Sequence, residues 1–191
     1  MIVKLPEMLE NEEKQLFEKV QRKDSQALAA LMRLLSHDLF AFINRLVENR
    51  EDVEDILQDT FVRVWEKSHQ FKGNSSVRTW IYSIALNLSY SHLRKRNRWH
   101  HAFLDEIKAL FSGDDPQRDT EFSHEKDLLR QGLTHLSPRQ QAVVTARVYQ
   151  DLPFAQVATA VGCTTNAAKV HFHEAKKRLS AFIEERTDLD G

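Results

Sequence analysis

Apolar side chains recur every three or four residues along most of this chain, the spacing that places them on one face of an α-helix. In the first half, Leu16, Phe17 and Val20 predict the start of a helix, and Asp24 or Ser25 can cap the next one. The apolar positions of that second helix are Leu28, Leu31, Leu35, Leu39, Phe42, Ile43 and Leu46. No run alternates apolar and polar residues as a half-buried strand does, so the pattern predicts an all-α protein.

A loop is predicted at residues 71–76, "FKGNSS", where Gly, Asn and two Ser occur together, with one helix before it and one after it. The helix after the loop is expected to run from about Val77 to Arg96. The helix before the loop has, on one face, Val53, Ile56, Leu57, Thr60, Phe61, Val64 and Trp65. The helix after the loop has the predicted core face Trp80, Ile81, Ile84, Ala85 and Leu88.

The C-terminal part of the chain predicts a helix-turn-helix. Ser137 as cap, Pro138 in the first turn and Gln140 three residues after the cap form a strong helix start. A short helix, "PFAQVATAV", follows. Gly162 suits the left-handed position that ends this short helix, and Thr164 can cap a long final helix. Two helices joined by a tight glycine-containing turn form this motif.

The helical pattern weakens between the two halves. Residues 112–120, "SGDDPQRDT", are polar and include Gly and Pro, which is typical of a flexible linker, and a short helix can precede them in "AFLDEIKALF". The predicted architecture is therefore all-α, with two small helical domains joined by a flexible linker. The predicted bounds are 1–98 for the first domain, 99–122 for the linker and 123–191 for the second domain.

The final predicted helix separates into two faces, because successive residues turn by about 100°. The face expected to be buried consists of Ala168, Phe172, Ala175, Leu179 and Phe182. The opposite face combines an amide, a small apolar group, an imidazole and ammonium groups, which a helix in the major groove uses for base edges, a thymine methyl and phosphates. The predicted DNA-reading residues are Thr165, Asn166, Lys169, Val170, His173 and Lys177.

The same segment contains Cys163, His171 and His173, so a metal site is an alternative, with His100 and His101 among its possible ligands. The two histidines are two residues apart and point about 160° from one another on a helix, so they cannot share one ion. The chain has one Cys and therefore no second thiolate ligand. DNA reading is favoured over a metal site and over a merely solvated cationic face. No nucleophile–base motif or glycine-rich phosphate loop is found, so neither an enzyme nor a bound cofactor is expected.

Composition narrows the class of protein. The 191 residues include only five Gly and four Pro, with 41% hydrophobic and 29% charged residues, as in a folded helical protein. The N-terminus lacks the basic and then apolar pattern of a signal peptide, and no run approaches the roughly 18 apolar residues of a membrane span. We therefore expect a cytoplasmic protein without membrane insertion, and a single Cys fits that reducing compartment.

Charge is unevenly distributed although the formal net charge is −1. Residues 48–66 hold seven acidic and two basic side chains, whereas residues 92–101 hold four basic side chains and no acidic one. Residues 126–186 hold nine basic and five acidic side chains. One acidic and two basic surfaces predict two kinds of partner. Residues 71–98 combine aromatic, amide and basic side chains, which suits binding to a single strand of melted DNA. Aromatic rings stack on bases, amides hydrogen-bond to base edges and basic groups contact phosphates.

Four segments together resemble the signature segments of the extracytoplasmic-function (ECF) bacterial sigma factors. They are "DVEDILQDTFVRVW", "TWIYSIALNLSYSHLRKRNR", "LSPRQQAVV" and "AQVATAVGCTTNAAKVHFHEAKKRL", in the family's order and covering nearly the whole chain. The resemblance implies a promoter-specificity subunit of RNA polymerase that promotes transcription initiation of a stress or signal regulon. Residues 1–98 would be sigma region 2 and residues 123–191 sigma region 4. The alternative is a helix-turn-helix regulator that acts without core polymerase, which would leave the acidic helix unexplained.

The resemblance also implies partners and contacts. Core RNA polymerase would bind the acidic helix through its β′ coiled coil and region 4 through its β flap, and an anti-sigma factor, often membrane-bound, would mask both domains. Region 2 would recognise and melt the minus-ten element of promoter DNA, holding a flipped base near residues 71–76 and Asn87. Region 4 would bind the minus-thirty-five element through Lys169, Val170 and His173. The implied polymerase-binding residues are Asp52, Asp55, Gln58 and Asp59. The implied minus-ten residues are Phe71, Lys72, Asn74, Trp80, Asn87, Ser91, Arg94 and Arg96.

Some positions depart from what many relatives have. Asn166 and Ala167 stand where a small residue followed by Thr is common, and Ser91 stands where Asp or Asn is common, which leaves the minus-ten base preference open. Glu174 stands where Arg is common, so a phosphate contact is in question on a helix that should approach DNA.

Overall fold

The structure, a computed structural model, describes residues 5–47, 49–107 and 131–187, and the side-chain surroundings of residues 10–47, 49–96 and 131–186. These ranges are helical apart from short turns and contain no strand, so the predicted all-α class is confirmed for them. The helices in chain order are α1 (Leu5–Gln21), α2 (Ser25–Asn44), α3 (Arg50–Lys67), α4 (Val77–Ile107), α5 (Pro138–Gln150), α6 (Phe154–Val161) and α7 (Thr165–Thr187), with a 3₁₀ turn at Ser68–Gln70 and a helical stretch at residues 131–134.

Helices α1 to α4 form the N-terminal bundle, whose core is the apolar stripe that the sequence predicted for α2. Leu31, Leu35 and Leu39 of that stripe are fully buried. Phe17 and Val20 are also buried, but they lie near the end of α1 rather than at its start, so that prediction was wrong. The cause is that the residues before them are strong helix formers, mainly Glu, Leu and Lys, which extend the helix back to Leu5.

Side-chain caps begin three of these helices. Asp24 accepts hydrogen bonds from the backbone N–H groups of Gln26 and Ala27 at 2.9 and 3.1 Å, as predicted. Asn49 caps α3 in the same way. The hydroxyl of Ser76 accepts a hydrogen bond from the backbone N–H of Thr79 at 3.1 Å at the start of α4. Each cap replaces water for backbone donors that have no partner within the helix.

Helix α4 is longer than the sequence predicted. It was expected to end near Arg96, but it continues to Ile107, so residues 99–107 of the predicted linker are helical. The sequence contains no Gly or Pro between Val77 and Gly113, so no helix-breaking residue ends α4 before Ile107. The rest of the predicted linker, residues 108–122, lies outside the described residues.

Helices α5 to α7, with residues 131–134, form the C-terminal bundle. The capping box predicted for Ser137 and Gln140 is present at the start of α5. Residues 131–134 pack closely on α7. A Cβ built on Gly132 would lie only 2.9 Å from the side chain of Leu179 on that helix. Leu133, Leu136, Val144, Ala175 and Leu179 form the core of this contact.

The two bundles are packed against each other through α4. One side of α4 lies on α1, α2 and α3, and another side lies on α5 and α6. Buried residues of both bundles, among them Leu86 and Tyr90 on α4 and Val143 and Val157 on α5 and α6, belong to one continuous hydrophobic cluster. The sequence prediction missed Tyr82, Leu86 and Tyr90 as core residues, because it assigned α4 a single buried face.

Within the described residues, α2 is the one helix long and apolar enough to cross a membrane by length and composition. One face of it, including Leu35 and Phe42, is fully buried among the other helices of the N-terminal bundle, and Leu28, Met32, Leu34 and Phe40 are partly buried. This burial is what a core helix of a globular domain shows.

Candidate nucleic-acid and polymerase interfaces

The turn between α6 and α7 has the geometry of a helix-turn-helix. Gly162 ends α6 with φ at +65°, a left-handed conformation that glycine adopts without strain. The backbone N–H of Cys163 donates to the carbonyl of Ala158 at 2.9 Å, which closes the turn. The hydroxyl of Thr164 accepts a hydrogen bond from the backbone N–H of Ala167 at 3.1 Å and so caps α7. Both sequence predictions for this turn are confirmed.

Helix α7 presents the predicted DNA-reading face to solvent. All six of its predicted residues, Thr165, Asn166, Lys169, Val170, His173 and Lys177, are exposed. Val170 is 52% exposed, so this face includes an apolar group. On the opposite side, Ala168, Ala175 and Leu179 are buried, and Phe172 and Phe182 are half-buried. The two-faced helix predicted from spacing is therefore present.

Glu174 is tied to the start of α5. The side-chain amide of Gln140 donates to a Glu174 carboxylate oxygen at 3.0 Å, and the Gln140 carbonyl oxygen accepts from Arg178 at 3.3 Å. Gln140 also belongs to the Ser137 capping box. A carboxylate near a helix N-terminus is favourable because the exposed backbone N–H groups carry partial positive charge there. The acid on α7 thus has a structural partner within the C-terminal bundle.

We expect Glu174→Ala to lower the free energy of unfolding of the C-terminal bundle by about 1 kcal/mol, because the Gln140 amide loses its carboxylate acceptor. Glu185→Ala is the matched control, since Glu185 is an exposed acid on the same helix, and its effect should stay within about 0.5 kcal/mol. Urea unfolding of both variants measures the difference. Equal stability of the two variants would contradict the role assigned to Glu174.

The possible metal ligands are not gathered in the described part of the chain. Cys163 is a free, half-buried thiol packed against the hydrophobic cluster. Among the described residues no group of three or more His, Cys, Asp or Glu side chains is placed to hold a metal ion. The side chains of His100 and His101 lie outside the described residues.

The acidic helix α3 carries the predicted polymerase-binding set on its solvent side. Asp55, Gln58 and Asp59 are exposed. Val62, one turn after Asp59, is 47% exposed and shares their side of the helix, since spacings of three and four residues align. The sequence prediction missed Val62, although its exposure could have been inferred from its absence from the apolar stripe. Acidic groups beside an exposed apolar one suit a protein partner better than DNA.

The fourth predicted residue of this set, Asp52, lies at the edge of the acidic face. One carboxylate oxygen is 3.4 Å from the Nε2 atom of His92 on α4, and both side chains are partly exposed. The contact links the start of α3 to the beginning of the basic segment of α4. Asp52 is therefore partly engaged within the bundle, unlike Asp55 and Asp59.

The predicted minus-ten residues Phe71 and Trp80 belong to an aromatic cluster with Phe17. The ring centroids are 5.1 Å apart for Phe17 and Phe71, 5.4 Å for Phe17 and Trp80, and 5.6 Å for Phe71 and Trp80. Both Phe71 and Trp80 are half-buried, so each packs on the core with one part and faces solvent with the other. The cluster fixes the loop at residues 71–76 to α1 and α4.

An ion triad with one buried member, Glu13, holds the start of α4. Two guanidinium nitrogens of Arg78 donate to Oε1 of Glu13 at 2.6 and 2.9 Å, and a third donates to Asp38 at 3.0 Å. The Glu13 side chain is only 3% exposed. Burial alone would lower the pKa of Arg78, but the hydrogen bonds to Glu13 and Asp38 outweigh it and raise that pKa. The triad joins α1, α2 and α4 directly after the loop, and sequence reasoning did not find it.

The remaining predicted minus-ten residues lie along the loop and one side of α4. Lys72 and Asn74 in the loop are exposed, as are Asn87, Arg94 and Arg96 on α4, and Ser91 is half-buried. The Asn87 amide donates to the backbone carbonyl of Ala160, on α6, at 2.8 Å. The structure thus brings the loop, Trp80 and Asn87 together at the contact between the two bundles, whereas Arg94 and Arg96 lie further along α4.

Two family models match this chain and identify its family. The Sigma-70 region 2 model matches residues 31–99 and the Sigma-70 region 4 model matches residues 126–179. Together they cover most of both bundles, including α3, the loop and the helix-turn-helix. The chain belongs to the ECF group of the sigma-70 family of RNA polymerase sigma factors.

Curated relatives agree with this ECF sigma factor assignment along almost the full chain. The RNA polymerase sigma-H factor of Pseudomonas aeruginosa is 26% identical over 187 residues, covering 93% of this chain and 96% of the relative. The ECF RNA polymerase sigma factor RpoE of Cereibacter sphaeroides is 27% identical over 162 residues, covering 82% of this chain and 86% of the relative.

Two solved structures share the fold. The sigma factor RpoE of Bartonella quintana, in complex with the anti-sigma factor NepR, has a TM-score of 0.59 at 23% identity and covers 80% of this chain and 94% of its own. CnrH, in complex with the cytosolic domain of CnrY, has a TM-score of 0.61 at 18% identity and covers 91% of this chain and 98% of its own. Both likenesses concern the fold, and the first shows that this architecture occurs in a sigma factor.

Proposed function

We propose that this ECF sigma factor docks on core RNA polymerase through α3 and brings two promoter-binding surfaces to DNA. The observation that supports this most directly is the presence, on one chain, of an exposed acidic and apolar face on α3 and an exposed DNA-reading face on α7. The N-terminal bundle corresponds to region 2 and the C-terminal bundle to region 4, with domain bounds at 1–98 and 123–191. The β′ coiled coil is the proposed partner of Asp55, Gln58 and Asp59, with Asp52 at the edge.

The proposed promoter contacts divide between the bundles. Region 4 binds the minus-thirty-five element through the exposed residues of α7, and the release of counterions from phosphates contributes to affinity. Region 2 holds unpaired bases of the minus-ten element at the loop, Trp80 and Asn87, which offsets part of the free energy of unstacking. Ser91, Arg94 and Arg96 extend this surface along α4. The protein itself performs no chemistry, since polymerase makes the RNA.

We further propose that a protein inhibitor, an anti-sigma factor, controls this protein. One structural neighbour, RpoE of Bartonella quintana, is a sigma factor in complex with an anti-sigma factor, which supports an anti-sigma partner for this chain. A membrane-bound anti-sigma factor would hold the protein at the cytoplasmic side of a membrane until a signal releases it. The proposed location of action is the cytoplasm, where the polymerase is.

Co-elution with core RNA polymerase on size exclusion distinguishes this function from that of a helix-turn-helix regulator acting alone. The proposal expects a stoichiometric complex that forms without DNA. A protein that binds DNA but never co-elutes with core enzyme would establish the regulator instead.

Lys169→Ala together with His173→Ala should lower transcription from a promoter that needs its minus-thirty-five element by about tenfold or more. Two lost groove contacts of about 1 kcal/mol each account for this size. Both side chains are exposed, so folding should not change. Run-off transcription on that promoter and on a template lacking the element measures the effect. An equal loss on both templates would show that these residues do not read the element.

A further inference from the structure

A cavity of about 520 Å³ lies between α3, α4 and α6, beside the loop at residues 71–76. Its volume is within the roughly 300–1,000 Å³ that small-molecule sites usually have. We call it the α3–α6 cavity. Its lining includes Arg63 and Lys67 of α3 and Gln156 of α6, and none of these belongs to the proposed promoter or polymerase contacts. The cavity thus has chemistry that neither proposed interface uses.

The α3 wall of the cavity is positively charged. Arg63 and Lys67 are four residues apart, which places both on the same side of the helix. Neither forms an ion pair within the described part of the chain, and no Asp or Glu is among the described residues that line the cavity. Two unpaired cations without an acid suit an anion such as a phosphate. An Arg guanidinium binds phosphate through two parallel hydrogen bonds, and a Lys ammonium binds it as a point charge.

The α4 wall of the cavity is aromatic and apolar. Trp80 is half-buried, and its ring packs on Phe17 and Phe71 while it also lines the cavity. Ile84 continues this surface one turn later. A planar base stacks well on an indole ring. Because the aromatic cluster already fixes Trp80, stacking there orders little that is not ordered in the free protein.

Side-chain amides line the remaining sides. The Oε1 atom of Gln156 is buried, and it has no hydrogen-bond partner within the described residues. The Asn87 amide donates to the carbonyl of Ala160, which leaves its oxygen as an acceptor, and Asn74 in the loop lines the same cavity. A buried polar atom without a partner costs free energy, so a ligand that donates a hydrogen bond to Gln156 is favoured. The amino groups and ring N–H groups of bases are donors of this kind.

We propose that the α3–α6 cavity binds a free nucleotide, with its base on Trp80, its hydrogen-bonding edge at Gln156 and Asn74, and its phosphates at Arg63 and Lys67. Inorganic phosphate would use the α3 wall alone, and an uncharged aromatic metabolite would leave both cations unused. A nucleotide uses all three walls. The α3 cations and the α6 wall distinguish this site from the proposed minus-ten surface.

Calorimetric titration of the full-length free protein with ATP, GTP, CTP and UTP, at physiological salt, tests the site. At least one of them should bind with one-to-one stoichiometry, about tenfold or more tighter than pyrophosphate or its own nucleoside, since each of these lacks part of the ligand. No binding of any nucleoside triphosphate at millimolar concentration would overturn the site. Equal affinity for pyrophosphate would overturn the base contact. Binding of a short oligothymidylate, but of no free nucleotide, would assign the cavity to a DNA strand instead.

A double variant of the α3 wall tests the phosphate contact. Arg63→Gln with Lys67→Gln should weaken nucleotide binding about tenfold or more. The charge-matched control is Lys14→Gln with Lys19→Gln, two exposed bases on α1, which should change the affinity by less than about twofold at physiological salt. Equal weakening by both double variants would mean that overall charge, rather than the α3 wall, attracts the nucleotide.

Gln156→Leu tests the α6 wall with a residue of similar volume. It removes a buried oxygen that no protein group satisfies within the described residues, so the unbound protein should unfold at an unchanged or higher temperature. Nucleotide binding should nevertheless weaken about threefold or more, because the ligand loses a hydrogen-bond partner. Unchanged affinity would contradict the contact with Gln156. These titrations contain no polymerase, so a failure of nucleotide binding would leave the proposed sigma function intact.

Discussion

Arg78→Met should destabilise the N-terminal bundle by about 3 kcal/mol, a large effect for one side chain at the start of a helix. The substitution leaves the Glu13 carboxylate almost fully buried without its guanidinium partner. Removing one partner of a buried ion pair costs about 3–5 kcal/mol, and the partial exposure of Arg78 places the effect at the lower end. Urea unfolding followed by helical circular dichroism measures it.

Two further variants isolate the cause. Arg50→Ala removes an exposed arginine from the pair with Glu54, so it should change stability by no more than about 0.5 kcal/mol. Glu13→Leu combined with Arg78→Met should recover much of the loss, because the double variant buries no unpaired charge. If the double variant is as unstable as Arg78→Met alone, the uncompensated Glu13 is not the cause.

Asp55→Arg with Asp59→Arg should weaken binding to core polymerase at least about a hundredfold. Each substitution replaces an exposed acid on the proposed docking face of α3 with a base. A basic partner surface would then face two positive charges, and this repulsion costs several kcal/mol in total. Both side chains are exposed, so the fold should persist. Fluorescence titration with core enzyme gives the Kd.

The charge-matched control is Glu12→Arg with Glu18→Arg, two exposed acids on α1. It makes the same change in net charge away from α3 and should alter the Kd by less than about threefold at physiological salt, where distant charges are screened. Equal weakening by both double variants would mean that overall charge, rather than the α3 face, governs binding.

Local signals in the sequence were sufficient for the helix-turn-helix. Ser137, Gly162 and Thr164 act within a few residues of their own positions, through caps and a left-handed turn, so their roles do not depend on the rest of the fold. The exposed face of α7 was predicted for the same reason, because helical spacing alone separates Val170 from Ala168.

The features that the sequence did not reveal depend on contacts between distant residues. Arg78 and Glu13 are 65 positions apart, so no periodicity pairs them. Tyr82 packs on Phe42 of α2, whereas Tyr90 lies near Arg139 of α5, so α4 is covered on more than one side, which spacing within one helix cannot show. The role of Glu174 likewise required the position of Gln140, which is 34 residues earlier.

Run-off transcription of the source organism's genomic DNA, by its core RNA polymerase with and without this protein, tests the central claim most directly. The sigma factor account predicts a defined set of new transcripts whose start sites share two upstream elements. It also predicts that these transcripts disappear with the Asp55→Arg and Asp59→Arg variant. Core enzyme that produces the same transcripts with and without the protein would contradict it.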